Sequence, residues 1–136
     1  MSAASVVAAT MIFDTDVLIA ALRGSHAAAS RMNREPVRLL SVISYMELMR
    51  GARDKNDLRN IRSFLHDNRF GVLELSGDIG RKASGYMETL ALRSGIEVAD
   101  ALIAATAAET GQPLCTGNAK HYRAIDEIRL TIFKHR

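Results

Sequence analysis

An α/β domain with a central, mostly parallel sheet of four to five strands and helices on both faces is the fold this sequence predicts. Three observations predict it. Short apolar runs at 11–13, 38–42 and 114–116 are too brief for helices and are bounded by polar or turn residues. Segments with apolar residues at helical spacing separate them, the alternation that builds a parallel sheet covered on both faces. The length, 136 residues, suits one domain with one core.

The elements follow in order. Residues 11–13 are the first strand, extended upstream by Val6 and Val7. A helical pattern runs over 16–22 and again over 25–33, and Pro36 interrupts it. Residues 38–42 read as a second strand. Residues 44–52 form a short helix with Tyr45, Leu48, Met49 and Ala52 on one face. A longer amphipathic helix spans 54–68, with Leu58, Ile61, Phe64 and Leu65 at helical spacing. Residues 70–75 alternate and are β-like. Residues 78–93 are helical through Ile79, Ala83, Met87, Leu90 and Ala91, and Gly95 stops that helix. Alanine dominates the helix at 99–110, where small side chains permit close packing on a sheet. Gly111 and Pro113 end it. A strand at 114–116, a turn or short helix at 118–122 and a last strand at 130–133 complete the chain.

Composition narrows the class without naming a function. Hydrophobic residues make up 48%, too many for a disordered chain. The net charge of +3 permits a polyanionic partner but equally fits a basic solvated surface. Cys115 is the one cysteine, so no internal disulfide forms; in its apolar setting it reads as a buried structural thiol. No run of about 20 apolar residues could cross a membrane. Residues 1–10 lack a basic leader and read as a loose extension of the single domain 1–136, with Met1 or Met11 as its start. A cytoplasmic setting is the expectation.

The chemistry lies in three acidic segments where apolar runs end: Asp14-Thr15-Asp16, Ser44-Tyr45-Met46-Glu47 and Ala99-Asp100-Ala101. Each acid has a plain structural explanation. Ser44-x-x-Glu47 has the form of a capping box. Asp14, Asp16 and Asp100 suit the first turns of helices. Their recurrence at equivalent places argues for more. In parallel sheets ligands bind beyond the carboxyl ends of the strands, where Asp14, Glu47, Asp100 and Asn118 can converge. Such a cluster repels itself unless a cation neutralises it. The natural ion is Mg²⁺ or Mn²⁺, which take oxygen ligands. A rival reading rests on Asp14-x-Asp16-x-Val17-Leu18, which resembles the first motif of haloacid-dehalogenase-like phosphatases, with a nucleophile followed by an acid. Those enzymes also need a downstream lysine and a late acidic pair after a strand, and no such pair is present.

Taken in order, Phe13-Asp14-Thr15-Asp16-Val17-Leu18-Ile19, Ser44-x-x-Glu47-Leu48-x-x-Gly51, Ala99-Asp100-Ala101-Leu102-Ile103, Thr116-Gly117-Asn118 and His121-Tyr122 resemble the PIN domain. Within that family they resemble the VapC toxins of prokaryotic toxin–antitoxin pairs. The resemblance covers about 11–133. It implies a metal-dependent endoribonuclease with Asp14, Glu47 and Asp100 as catalytic metal ligands for Mg²⁺ or Mn²⁺. Asp16 and Asn118 are further candidate ligands. Thr15 and Thr116 are candidates to donate hydrogen bonds to those carboxylates, and His121 to orient a water or touch phosphate. The chain departs from the family at its last motif, where Asn118 and His121 stand at positions that often carry carboxylates. That departure motivates an alternative: an inactive PIN module that only binds RNA or protein. The resemblance further implies a VapB-like antitoxin partner, an RNA substrate (tRNA, rRNA or mRNA) and a homodimer. Arg50, Arg53, Arg59 and Arg62 could form a phosphate-binding rim near Glu47, although an ordinary solvated face explains them equally well.

Overall fold

The computed structural model describes residues 10–135. Val6 and Val7, and most of the proposed loose extension, lie outside the described residues. The chain begins with β1 (Thr10–Phe13), α1 (Thr15–Leu22), α2 (His26–Asn33), β2 (Val37–Ser41), α3 (Val42–Arg50) and α4 (Lys55–Asp67). It continues with β3 (Phe70–Leu73), α5 (Gly77–Ser94), α6 (Val98–Thr110), β4 (Leu114–Thr116), a 3₁₀ turn (Ala119–His121) and β5 (Leu130–Ile132). The five strands form one sheet in the order β3-β2-β1-β4-β5, and every pairing is parallel. This is the three-layer α/β/α arrangement the alternating pattern predicts. Because β1 lies in the middle, its carboxyl end sits between those of β2 and β4.

Alternation along the strands supplies both faces. Ile12 and Leu114 are fully buried against α5 and α6, whereas Phe13 and Cys115, one residue on, are fully buried against α1 to α4. The central strands are therefore apolar on both sides, as a parallel sheet requires. In α6, Ala101, Ala104, Ala105 and Ala107 are buried, and the absence of side-chain bulk lets α6 and α5 pack closely on the sheet. Cys115 is a buried free thiol whose pKa burial pushes up to about 11, so it is a core residue and not a nucleophile.

Several boundaries differ from the sequence reading, two of them for one physical reason. Ser41 is extended (φ −70°, ψ 147°), and its hydroxyl accepts from the Ile43 N–H at 3.0 Å. The second strand therefore ends at Ser41, and the following helix starts at Val42 and not at Ser44. Ser44 is buried inside α3, so the capping-box reading of Ser44 and Glu47 is wrong: the cap is Ser41. β3 likewise stops at Leu73, short of residue 75. Other helix ends fall where the sequence reading put them. Ser25 and Asp54 accept from backbone N–H groups three residues on, and Gly95 ends α5 with φ 67°, a left-handed geometry that favours glycine.

Candidate functional site

At the carboxyl end of β1 the chain turns directly into α1, and Asp14 is the hinge. Its extended backbone (φ −68°, ψ 157°) starts the helix, and its Oδ1 accepts from the Thr15 N–H at 2.8 Å. The plain capping role of Asp14 is thus present, but it uses only one oxygen. Oδ2 accepts from the Thr116 hydroxyl at 2.7 Å and the Tyr122 hydroxyl at 3.0 Å. Thr116 ends β4, whose pairing with β1 brings the two residues together. Its hydroxyl also accepts from the Asn118 N–H at 3.0 Å, so its single proton is left to point at Asp14.

Tyr122 joins two of the predicted acids. The same hydroxyl that donates to Asp14 lies 3.4 Å from Asp100 Oδ1. Asp100 stands in the first turn of α6. Tyr122 is fully buried. Burial and the charges of Asp14 and Asp100 push its phenol far above the usual range, so it remains a neutral donor. His121 Nδ1 lies 3.4 Å from Asp100 Oδ2, on the other oxygen.

Glu47 is reached through Thr15. Thr15 Oγ1 is 2.6 Å from Glu47 Oε1 and 2.8 Å from Ser44 Oγ. A carboxylate only accepts, so the threonine proton goes to Glu47 and the serine hydroxyl supplies its own to Thr15. Ser44 is therefore a polar link and not a cap. Asp16, in the first turn of α1, accepts on Oδ2 from the Gly117 N–H at 2.9 Å and from His135 Nε2 at 2.8 Å. Its Oδ1 is buried with no hydrogen-bond partner among the described residues.

The electrostatics follow from burial. Asp14 is 5% exposed. Burial pushes its carboxyl up from 3.8 to about 6, opposed by the Thr116 hydrogen bond and reinforced by the Asp16 charge. Burial also raises Asp100, opposed by His121. As they stand, no three His, Cys, Asp or Glu side chains among the described residues form a group that could hold a metal ion. Asp14 and Asp100 converge on one hydroxyl, Glu47 stands one link away through Thr15, and the Asp16 charge bears on Asp14. That arrangement fits a hard cation all the same. All the donors are oxygen, one buried carboxylate oxygen has no partner, and Mg²⁺ is commonly held by one or two carboxylates with waters completing its shell.

Asn118 is exposed and contributes its backbone N–H, and its side chain makes no hydrogen bond among the described residues. The sequence reading gave Tyr122 and Gly117 no role and His135 little. A buried tyrosine needs a partner for its hydroxyl, and that was the available signal for Tyr122. Of the arginine rim, Arg53 pairs with Asp57 at 2.9 Å. A cleft of about 590 Å³ opens between α1, α3 and α4, lined by Ile19, Leu22, Leu48, Ala52 and Ile61 together with the polar Arg23, Glu47, Arg53, Asp57 and Asn60. Ile61 and Leu65 are core residues, and Ile61 also lines this cleft. No described helix is long and apolar enough to cross a membrane.

A family model described as PIN domain matches residues 11–127. No curated protein matches in sequence. Among solved structures, the chain is similar to a toxin–antitoxin complex from Klebsiella pneumoniae, with 27% identity and a TM-score of 0.76 over 92% of this chain and 99% of that one. It is also similar to VapBC2 from Rickettsia felis bound to a promoter DNA fragment, at 20% identity and a TM-score of 0.78, covering 92% and 99%. DNA-bound VapBC from Salmonella typhimurium matches at 22% identity and a TM-score of 0.76, covering 92% and 98%.

Proposed function

The chain belongs to the PIN-domain family, and on that premise we propose that it is the nuclease toxin of a toxin–antitoxin pair, cutting RNA with the help of Mg²⁺ or Mn²⁺. Membership sets aside the phosphatase-like reading of Asp14 and Asp16. The observation that carries the proposal is the convergence of Asp14 and Asp100 on the Tyr122 hydroxyl, with Glu47 tied to the same place through Thr15.

Asp14 and Asp100, with Glu47, would hold the cation. When bound it would acidify a water and neutralise the scissile phosphate. The rest of the site orients these ligands. Thr116 and Tyr122 fix Oδ2 of Asp14, and the Thr15 N–H fixes Oδ1, so the carboxylate has one orientation. Asp14 is the group whose burial most needs a positive partner, and it would give up its proton on ligation. The Ser44–Thr15 pair holds Glu47 by one oxygen, and the other has no hydrogen bond among the described residues. Hydrolysis by water leaves a 5′-phosphate and a 3′-hydroxyl. A 2′,3′-cyclic phosphate among the products would contradict it, because it shows attack by the ribose.

The test is RNA cleavage by the purified protein in Mg²⁺ or Mn²⁺. EDTA, Asp14→Asn, Asp100→Asn and Glu47→Gln should each abolish it. Unchanged activity in these variants would sink the site assignment. Binding of tRNA and rRNA without any cutting would favour the binding-only module that Asn118 and His121 motivate. We assign the cleft beside Glu47 to a VapB-like antitoxin, whose apolar side chains would fill it and whose basic side chain could reach the carboxylates. Ala52→Glu should then weaken antitoxin binding at least about tenfold while RNA cleavage persists; equal affinity would refute that assignment. The protein acting on RNA in the cytoplasm as a homodimer completes the proposal, and sedimentation velocity reads the last point.

A further inference from the structure

We propose that His135 is a positioning residue for the carboxylate site: it pins one oxygen of Asp16 so that the other is held ready as a further ligand for the divalent cation. The proposal rests on the reading of the site as a cation-dependent nuclease centre.

Three separate segments meet at this point. The first is α1, which carries Asp16 in its first turn. The second is the turn after β4, where the Gly117 N–H donates to Asp16 Oδ2 at 2.9 Å. The third follows β5. β5 pairs with β4 through Thr116 and Ile132, and the Phe133 N–H donates to the Thr116 carbonyl at 2.8 Å, which fixes the chain's exit. The buried Phe133 ring then meets the His135 ring edge-on, at 4.8 Å between centroids and 87° between planes. This contact sets the imidazole with Nε2 at 2.8 Å from Asp16 Oδ2. A carboxylate only accepts, so Nε2 carries the proton.

Gly117 is what makes room. A Cβ at this position would lie 2.5 Å from Asp16 Oδ2 and collide with the His135 ring. The space a side chain would fill is occupied by the contact itself.

The result is a carboxylate with both donors on one oxygen. Oδ1 is buried and has no partner among the described residues. A buried acceptor left unpaired is costly unless a water or ion completes it. If Asp16 served only the helix dipole, it would need neither the imidazole nor the bare backbone at Gly117. The His135 side chain is 46% exposed, so its removal leaves the core intact.

The test measures Mn²⁺ binding by titration calorimetry on the full chain, without RNA. His135→Ala should weaken Mn²⁺ affinity about tenfold, the lower end for loss of a group that orients a metal ligand. His135→Gln, whose amide N–H can replace Nε2, should restore most of it. In an Asp16→Asn background, His135→Ala should change nothing further. Equal affinity for wild type and His135→Ala overturns the proposal while leaving the nuclease reading in place. So does an undiminished His135→Ala effect in the Asp16→Asn background, or a His135→Gln variant as weak as His135→Ala. Failure of the wild type to bind Mn²⁺ at all overturns the nuclease reading, and the proposal with it.

Discussion

Asp14→Asn should make the cation-free protein more stable while abolishing its activity. Asp14 is 5% exposed, and its carboxyl moves from 3.8 to about 6 on folding. Ionising it inside the fold therefore costs about 3 kcal/mol more than in the unfolded chain. Asparagine removes that cost. Its amide has one accepting oxygen, so its NH₂ faces either the Thr15 N–H or the Thr116 and Tyr122 hydroxyls, a loss of about 1 kcal/mol or somewhat more. The net gain is about 1–2 kcal/mol, or about 4–8 °C in Tm for a domain of this size. The sign with pH follows from linkage. A carboxyl raised in the fold lends stability below its unfolded value of 3.8, and that stability is lost as pH rises through about 6. The variant should thus be less stable by about 1 kcal/mol near pH 3.5, cross the wild type between about 4 and 6, and stay more stable above. Thermal melts in EDTA across this range provide the assay. Adding Mg²⁺ at neutral pH should stabilise the wild type alone and narrow the gap. A variant less stable at every pH, or a difference that does not change with pH, would refute the reasoning.

Three further outcomes are expected. Tyr122→Phe keeps the buried ring but removes the hydroxyl between Asp14 and Asp100; RNA cleavage should fall about tenfold or more with stability changed by only about 1 kcal/mol, and an unchanged rate would contradict the shared-donor role. Thr15→Val should lower cleavage about tenfold by releasing Glu47, whereas Thr15→Ser keeps the hydroxyl and should retain most activity; equal rates would show that the Thr15–Glu47 contact is idle. Ala104→Leu, in the fully buried alanine face of α6, should destabilise by about 1–3 kcal/mol in urea melts, and a neutral result would mean that α6 is loosely packed.

Local chemistry made most of the fold legible. Short apolar runs separated by amphipathic segments leave few alternatives to a parallel sheet, and helix ends at Ser25, Asp54, Gly95 and Gly111 follow from caps that act within a few residues. The error at Ser44 is also local. Ser41 and Ser44 are both able to cap, and tertiary burial of Ser44 decided between them. The acids were visible because they sit where strands end. What binds them together was not. The contacts of Tyr122 with Asp14 and of His135 with Asp16 span more than a hundred residues, and they depend on which strands pair and in what register. No periodicity or spacing encodes that register. Asn118, chosen as a candidate ligand by position, acts through its backbone, and only the turn geometry decides this.

The central claim is that Asp14 and Asp100 share a divalent cation. A crystal structure of the protein soaked in Mn²⁺, with the ion located by its anomalous scattering, tests this most directly. The account predicts a peak in contact with both carboxylates, with Glu47 or Asp16 close enough to complete or orient its shell. No bound ion, or one held away from Asp14 and Asp100, would contradict it.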